Sequence, residues 1–229
     1  MSSHSVQSRQ LVHHSNQHEF EHQRAEMVSW QLQARGITDP AVIRAMLEVP
    51  RHRFLPTDCP HLAYADAPLP IGSNQTISQP YIVAHMLSAA QILPSDTVLE
   101  VGTGSGYATA ILSRMAMTVY SVEIIPDLAK MARETLGRLN YRNLHIQLGD
   151  GYWDLPQHAP YDRILVWAAV PYVPQALLEQ LAMYGKLIIP VGVNHQEIQV
   201  ITKRPEGIET QTTIAATFVP MAVAARKLP

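Results

Sequence analysis

Residues 98–107 decide the predicted fold of this chain, and they read Val98-Leu99-Glu100-Val101-Gly102-Thr103-Gly104-Ser105-Gly106-Tyr107. The pattern is that of a short apolar strand that turns through three glycines into a helix. Glycine permits tight turns and lets a ligand lie close against the backbone. Ligands of open parallel sheets bind at such strand-to-helix turns. We therefore predict an α/β fold with a ligand site at this turn.

Short apolar strands alternate with helices on both sides of the turn. Strands are predicted over 97–101, 119–122, 144–148, 163–168 and 186–191, and helices over 81–92, 106–115, 126–139 and 174–181. Looser alternation over 198–203 and 212–219 predicts antiparallel strands at one edge. This order predicts a mostly parallel, doubly wound, Rossmann-like sheet with helices on both faces.

The first 22 residues are rich in Ser, Gln and His and contain few apolar side chains. Such a segment cannot bury enough surface to offset its ordering entropy, so a flexible leader is predicted over 1–22. His14, His18 and His22 would share one face of a helix. A metal site is one interpretation, but a solvated polar tail is favoured because no carboxylate or cysteine completes a ligand set.

Two helices and a proline-rich loop are predicted between the leader and the sheet. The first helix runs over 24–36 with Trp30 on its apolar face, and the second follows Asp39-Pro40. Residues 50–72 contain five prolines, which exclude a sustained helix or central strand. A long ordered loop is therefore predicted there, with residues 56–72 as a candidate lid.

Charge, cysteine content and hydropathy exclude several classes of protein. The formal net charge of -2 gives no electrostatic reason to expect a nucleic-acid partner. Cys59 is the only cysteine, so the chain has no internal disulfide, which fits a reducing compartment. No apolar run approaches the roughly 18 residues of a membrane span, and no signal-peptide core is present. A cytoplasmic, monomeric protein is expected.

The glycine turn favours S-adenosyl-L-methionine over a dinucleotide. The dinucleotide pattern needs glycine at position 107, where this chain has Tyr107. Glu100 would repel a pyrophosphate, whereas the methionine end of S-adenosylmethionine carries an ammonium and a sulfonium. A tight turn without a ligand is the alternative. The predicted cofactor-binding residues of this turn are Glu100, Gly102, Thr103 and Gly104.

Two acidic residues follow the next strands. Glu123 lies 21 residues beyond Gly102, near the spacing of about 20 at which an acidic residue reaches ribose hydroxyls. Asp150 stands between Gly149 and Gly151 and could accept a hydrogen bond from the adenine amino group. The alternatives are a solvated carboxylate for Glu123 and simple turn chemistry for Asp150. Together with the glycine turn, these positions predict that Glu123, Asp150 and Gly151 bind the cofactor.

A third stretch carries a family resemblance: Pro70-Ile71-Gly72-Ser73-Asn74-Gln75-Thr76-Ile77-Ser78-Gln79-Pro80-Tyr81. It resembles the signature loop of the protein-L-isoaspartate O-methyltransferase family, and Val49–Pro56, Ala63–Pro70, Ile189–Gly192 and Phe218–Pro220 are similar to other segments of that family. The resemblance covers roughly residues 27–221. It implies the Rossmann-like fold of S-adenosylmethionine-dependent methyltransferases, in one domain over 23–229. Residues 23–80 would form the N-terminal helices and substrate loop, and residues 81–229 the cofactor-binding core.

The resemblance also implies an activity. The substrate would be the free α-carboxylate of an L-isoaspartyl residue in a damaged protein or peptide, and the products would be its methyl ester and S-adenosyl-L-homocysteine. Ser78 corresponds to the active-site serine of the family, although a serine two residues before Pro80 is also an expected helix N-cap. By the same resemblance, Gln75, Thr76, Ile77 and Ser78 contact the cofactor, and Asp66, Pro70, Ile71 and Gly72 bind the substrate.

Two departures from the family pattern and three rival functions stay open. Asn74 replaces a usual glycine, although asparagine tolerates a positive φ, and Tyr184-Gly185 replaces a usual Gly-Gly turn. One rival is a methyltransferase that acts on aspartate in a modified peptide. The others are a non-catalytic binding protein with this fold and a nicotinamide-dependent dehydrogenase, which Tyr107 disfavours.

Overall fold

The computed structural model describes residues 17–56, 60–151 and 155–222. The strands are β1 (Leu69–Gly72), β2 (Gln75–Ile77), β3 (Thr97–Val101), β4 (Thr118–Glu123), β5 (Leu144–Leu148), β6 (Tyr161–Val166), β7 (Leu181–Val191), β8 (Glu197–Arg204) and β9 (Gly207–Ala215). Seven of them form one sheet in the order β5-β4-β3-β6-β7-β8-β9. The first five in this order run parallel, and β8 and β9 are antiparallel. The predicted sheet, including its antiparallel edge, is confirmed.

The helices are α1 (17–26), α2 (Pro40–Glu48), α3 (Pro80–Ala90), α4 (Tyr107–Met115), α5 (Pro126–Arg138) and α6 (Gln175–Gln180). Helices α3 to α6 pack on this sheet through apolar side chains, and α2 packs on α3 and α4. Successive residues of a strand point to opposite faces, so Val98 joins the core under α3, α4 and α5, whereas Leu99 joins the core that includes Leu177 of α6. Both faces of the sheet are therefore buried, which explains why its central strands read as continuous apolar runs.

The glycine turn connects β3 to α4 as predicted. Gly102 and Gly106 both adopt a positive φ, at 94° and 87°. A Cβ on Gly106 would lie 2.9 Å from Cδ1 of Leu136, so this position has neither the backbone freedom nor the space for a side chain. The turn consequently brings the start of α4 directly against the ends of β3 and β4.

The N-terminal helix is longer than predicted. Residues 17–26 are helical, so the flexible leader predicted over 1–22 is wrong for residues 17–22, while residues 1–16 lie outside the described part. The helix continues through a π-helical turn, Met27–Leu32, and a 3-10 turn to Gly36, whose φ of 91° confirms the predicted stop. Trp30 is 72% exposed, so its predicted place on the apolar face is wrong. A π-helical turn holds more residues than an α-helical one, which rotates Trp30 off that face.

The histidine pattern does not assemble a metal site among the described residues. His18 lies 3.5 Å from Glu21 and His22 lies 3.5 Å from Glu26, as expected for a solvated helical face. His14 lies outside the described residues. In the same described part of the chain, no helix is long and apolar enough to cross a membrane.

The proline-rich segment contains more structure than a loop. Two 3-10 turns, Arg51–Phe54 and Pro60–Leu62, precede a small antiparallel hairpin formed by β1 and β2. The prediction of an unbroken loop over 50–72 is therefore wrong at β1, where Pro70 is exposed on a two-stranded hairpin that tolerates proline. Asn74 has a φ of 56° in the hairpin turn, as its tolerance of that conformation predicts. Residues 57–59, which include Cys59, lie outside the described part.

Candidate active site

The first cleft lies at the carboxyl ends of β3, β4, β5 and β6, beneath the β1–β2 hairpin. It encloses about 680 Å³ when the space open to solvent is included. Its walls combine apolar side chains, backbone of the glycine turn and a few polar groups. They are formed by Ile71, Gln75, Thr76, Ser78, Val101, Gly102, Gly104, residues 122–125, Leu128, Gly151, Trp167, Ala168 and residues 219–222.

A second cleft adjoins the first on the side of α3 and encloses about 720 Å³ by the same measure. It is bounded by Pro68, Gln79, Ile82 and residues 215–218. Four residues line both clefts: Thr76, Ser78, Trp167 and Val219. The two clefts therefore meet at these four side chains, which is where a group could pass between two bound molecules.

Ser78 lies at this junction and is half-buried. Its hydroxyl has no hydrogen-bond partner within the described residues. The predicted N-cap role is wrong, because the capping position of α3 belongs to Gln79 and no side chain caps that helix. Pro80 moves the helix start one residue beyond the predicted cap. The Ser78 hydroxyl is thus free to bond a ligand.

Glu100 does not face either cleft. It is 0% exposed and accepts hydrogen bonds from Thr109 Oγ1 at 2.5 Å, Ser121 Oγ at 2.6 Å and Trp167 Nε1 at 2.9 Å. Burial raises the pKa of Glu100 to about 7, against the opposing effect of these three donors, and the nearby Glu123 raises it further. The carboxylate is enclosed by protein and lines neither cleft, and its predicted contact with a cofactor stays a prediction.

Glu123 does line the first cleft, at the end of β4. Its Oε2 accepts from the Gly104 N–H at 2.7 Å and its Oε1 from the Ile125 N–H at 3.0 Å. A carboxylate oxygen accepts more than one hydrogen bond, so each retains capacity for a ligand hydroxyl. Gly151 also lines the cleft, and the adjacent Asp150 is 2% exposed. The third predicted acidic position therefore lies behind the wall and not on its surface.

The other predicted cofactor residues divide into two groups. Gln75, Thr76 and the glycines of the turn line the first cleft as predicted. Ile77 instead packs into the apolar core, since neighbouring residues of strand β2 point to opposite sides. Thr103 is buried and its hydroxyl lies 2.6 Å from the hydroxyl of Ser121, so it stabilises the glycine turn from the interior of the protein.

The predicted substrate residues are mostly displaced from the clefts. Asp66 pairs with Arg35 at 2.9 Å and accepts from Gln79 Nε2 at 2.8 Å, so it ties the N-terminal helical segment to the residue beside Ser78. Pro70 and Gly72 are exposed in the hairpin and line neither cleft. Ile71 lines the first cleft, on the cofactor side.

Sequence reasoning missed two parts of the walls. Trp167 follows β6 directly, a position that the carboxyl-end rule for parallel sheets singles out. Residues 215–222 follow the last strand and close both clefts, and their order in the sequence gives no sign of this. An isolated bridge between Ala169 and Pro220 anchors this segment.

The first cleft fits an adenosine-like ligand with a charged tail. Glu123 offers carboxylate oxygens, and Val101, Ile125 and Leu128 offer apolar surface for a base. Gly104 faces Ile71 across the cleft, where a Cβ on the glycine would come within 3.4 Å of the Ile71 Cδ1. A side chain there would fill part of the space that the hairpin and the turn enclose.

Comparison with known proteins assigns the family. Residues 22–226 match the family described as protein-L-isoaspartate(D-aspartate) O-methyltransferase (PCMT). The chain belongs to this family. Protein-L-isoaspartate O-methyltransferases of Picosynechococcus sp. and Gloeobacter violaceus are 52% and 53% identical to it. The alignments cover 86% and 85% of this chain and 89% and 96% of those proteins.

The fold agrees with a solved member of the protein-L-isoaspartate O-methyltransferase group. A Plasmodium falciparum structure described as such an enzyme, in complex with S-adenosyl-L-homocysteine, superposes with a TM-score of 0.77 at 28% identity. The match covers 87% of this chain and 98% of that one. The Rossmann-like methyltransferase fold implied by the sequence is thereby confirmed.

Proposed function

We propose that this chain transfers the methyl group of S-adenosyl-L-methionine to the free α-carboxylate of L-isoaspartyl residues in damaged proteins and peptides. The observation that carries the proposal is the junction of two clefts at Ser78, in a chain that belongs to the protein-L-isoaspartate O-methyltransferase family. In the methyl ester, the backbone nitrogen of the following residue attacks the ester carbonyl and expels methanol, which forms a succinimide. Hydrolysis of the succinimide returns part of it to normal aspartate. S-adenosyl-L-homocysteine is the other product.

The chemistry asks the protein mainly to orient its substrates. An α-carboxylate is ionised at neutral pH, so no general base is needed. When bound, S-adenosylmethionine supplies a methyl group already activated by its sulfonium. The Ser78 hydroxyl donates to one carboxylate oxygen and leaves the other directed at the junction of the clefts. Orientation of this kind lowers barriers by roughly 7–11 kcal/mol, and the apolar walls exclude water.

The two parts of the chain divide the work in this proposal. Residues 81–229 hold the cofactor in the first cleft, where Glu123 accepts from the ribose hydroxyls and Gly151 lies near the adenine. Residues 23–80 contribute Thr76, Ser78 and part of the wall of the second cleft, which takes the peptide. A monomeric state, a cytoplasmic location and the lack of a nucleic-acid partner stay predictions.

Glu123→Gln is expected to weaken S-adenosylhomocysteine binding about 10-fold, since it removes one charge-assisted hydrogen bond of the ribose. Calorimetry of the variant and the parent measures this directly. Glu134→Gln, on the exposed face of α5, is the matched control and should bind as the parent does. Equal affinities for Glu123→Gln and the parent would show that Glu123 only supports the Gly104 and Ile125 amides.

Two synthetic peptides test the function as a whole. Labelled S-adenosylmethionine should transfer its methyl group to a peptide containing L-isoaspartate and not to the same peptide with L-aspartate. Transfer to the aspartyl peptide alone would establish the rival methyltransferase class. Cofactor binding without transfer to either peptide would instead identify a non-catalytic binding protein.

A further inference from the structure

Trp167 occupies the junction of the two clefts on the side opposite the hairpin. It follows β6 at the carboxyl edge of the sheet, whereas Thr76 and Ser78 come from the hairpin and the residues just after it. Trp167 lines both clefts, although the residue is only 9% exposed. The junction therefore has one wall that belongs to the sheet, and Trp167 contributes to it.

Several contacts fix this indole in place. The Trp167 backbone N–H donates to the Val101 carbonyl at 3.0 Å, and its Cβ lies 3.6 Å from the point where a Cβ of Gly102 would stand. The ring N–H donates to Glu100 Oε1 at 2.9 Å. Backbone and ring are thus both held by β3, the backbone by the Val101 carbonyl and the ring by the buried carboxylate of Glu100.

Glu100 is in turn held from two further directions. Thr109 of α4 and Ser121 of β4 both donate to its Oε2. These two bonds hold the carboxylate group, so Oε1, which accepts from the indole N–H, has little freedom to move. Glu100 and Ser121 are also direct partners in the parallel register of β3 and β4. The direction of the Trp167 ring is consequently set by side chains that touch neither cleft.

We propose that Trp167 is a positioning residue for methyl transfer, and that its hydrogen bond to Glu100 sets the indole plane against which donor and acceptor are aligned. This inference rests on the proposed function. A residue that lines both clefts acts on the distance and angle between two substrates more than on the affinity for either. A shift of about 1 Å in that alignment is enough to cost a large part of the rate.

Steady-state kinetics of four variants test the inference. Trp167→Phe retains an aromatic ring and loses the N–H donor, and Glu100→Met loses the acceptor at a similar size. Each is expected to lower kcat about 10-fold, with the KM for the isoaspartyl peptide and the Kd for S-adenosylhomocysteine both within about threefold of the parent. Glu100→Gln keeps a carbonyl acceptor and should recover most of the loss seen in Glu100→Met. Trp30→Phe, at an exposed tryptophan, is the matched control.

The outcomes separate the inference from the proposed function. Methyl transfer by the parent in the same assay tests the function, and the ratio of variant to parent tests Trp167. A kcat within twofold of the parent for Trp167→Phe would overturn the positioning role. A loss of kcat accompanied by an equal loss of cofactor affinity would overturn it as well, and so would Glu100→Gln turning over as slowly as Glu100→Met.

Discussion

Ser78→Ala should lower kcat/KM for an isoaspartyl peptide by on the order of 100-fold and leave the affinity for S-adenosylhomocysteine within about twofold. A hydrogen bond to a charged group contributes about 1.5–3 kcal/mol, which corresponds to roughly 10- to 150-fold. The upper part of that range is expected because the hydroxyl both holds the carboxylate and leaves its second oxygen aimed across the junction. It has no partner among the described residues that could compensate for the change.

Three measurements make the Ser78 result specific. Ser95→Ala, in an exposed turn, should retain the kinetics of the parent. Ser78→Thr keeps the hydroxyl and should recover part of the lost kcat/KM. Calorimetry with S-adenosylhomocysteine then decides between the two clefts. If Ser78→Ala loses cofactor affinity and kcat/KM to the same extent, Ser78 serves the first cleft and not the acceptor carboxylate.

The strands of the sheet could be predicted from the sequence because its central strands are buried on both faces. The buried strand β3 has the predicted bounds, and β4 exceeds them by one residue at each end. The edge strand β5 also has the predicted bounds, whereas β6 begins and ends two residues early and β7 begins five residues early. The turn after β3 could be predicted as well, since Gly106 permits no side chain in that space. The position of the first cleft follows from the same reasoning, because parallel strands end at one edge of a sheet.

The direction of the Glu100 side chain could not be predicted in the same way. Its place in the sequence, two residues before Gly102, is compatible with a carboxylate in the cleft or behind it. The choice depends on Thr109, Ser121 and Trp167, three donors from three different elements. These donors come together only through the register of neighbouring strands, so no local sequence pattern indicates their arrangement.

Local geometry explains the error at Trp30. The predicted place of Trp30 on the apolar face depends on a period of 3.6 residues, which the π-helical turn Met27–Leu32 interrupts. Asp66, which resemblance alone assigns to the substrate, pairs with Arg35, 31 residues away in the sequence. No local pattern indicates a contact so distant in sequence, and the role of Asp66 toward the substrate stays a prediction.

Glu100 should make the stability of this enzyme fall as the pH rises through the range from about 4.5 to about 7. Burial raises the pKa of this carboxyl from 4.5 to about 7 in the folded chain. At a pH below both pKa values the carboxyl is protonated in the folded and the unfolded state, so it does not affect the free energy of unfolding. Between them the unfolded state releases the proton and the folded state keeps it, which favours unfolding.

The size of this effect is roughly 3 kcal/mol, since each unit of pKa difference corresponds to about 1.4 kcal/mol. Other groups also titrate in this range, so the test compares the parent with Glu100→Gln. Urea denaturation at about pH 5 and about pH 8 gives the free energy of unfolding of each. On going from the lower to the higher pH, the parent should lose roughly 2.5 kcal/mol more than Glu100→Gln, because part of the effect is already present at about pH 5.

Glu134→Gln again supplies the matched control, because it removes an exposed carboxyl of α5 and should follow the parent at both pH values. Parallel behaviour of Glu100→Gln and the parent would mean that the three donors hold Glu100 ionised throughout. In that case the buried carboxylate carries a full negative charge at neutral pH behind the glycine turn. The positive methionine end of the cofactor would then be attracted to that charge through the wall of the first cleft, without direct contact.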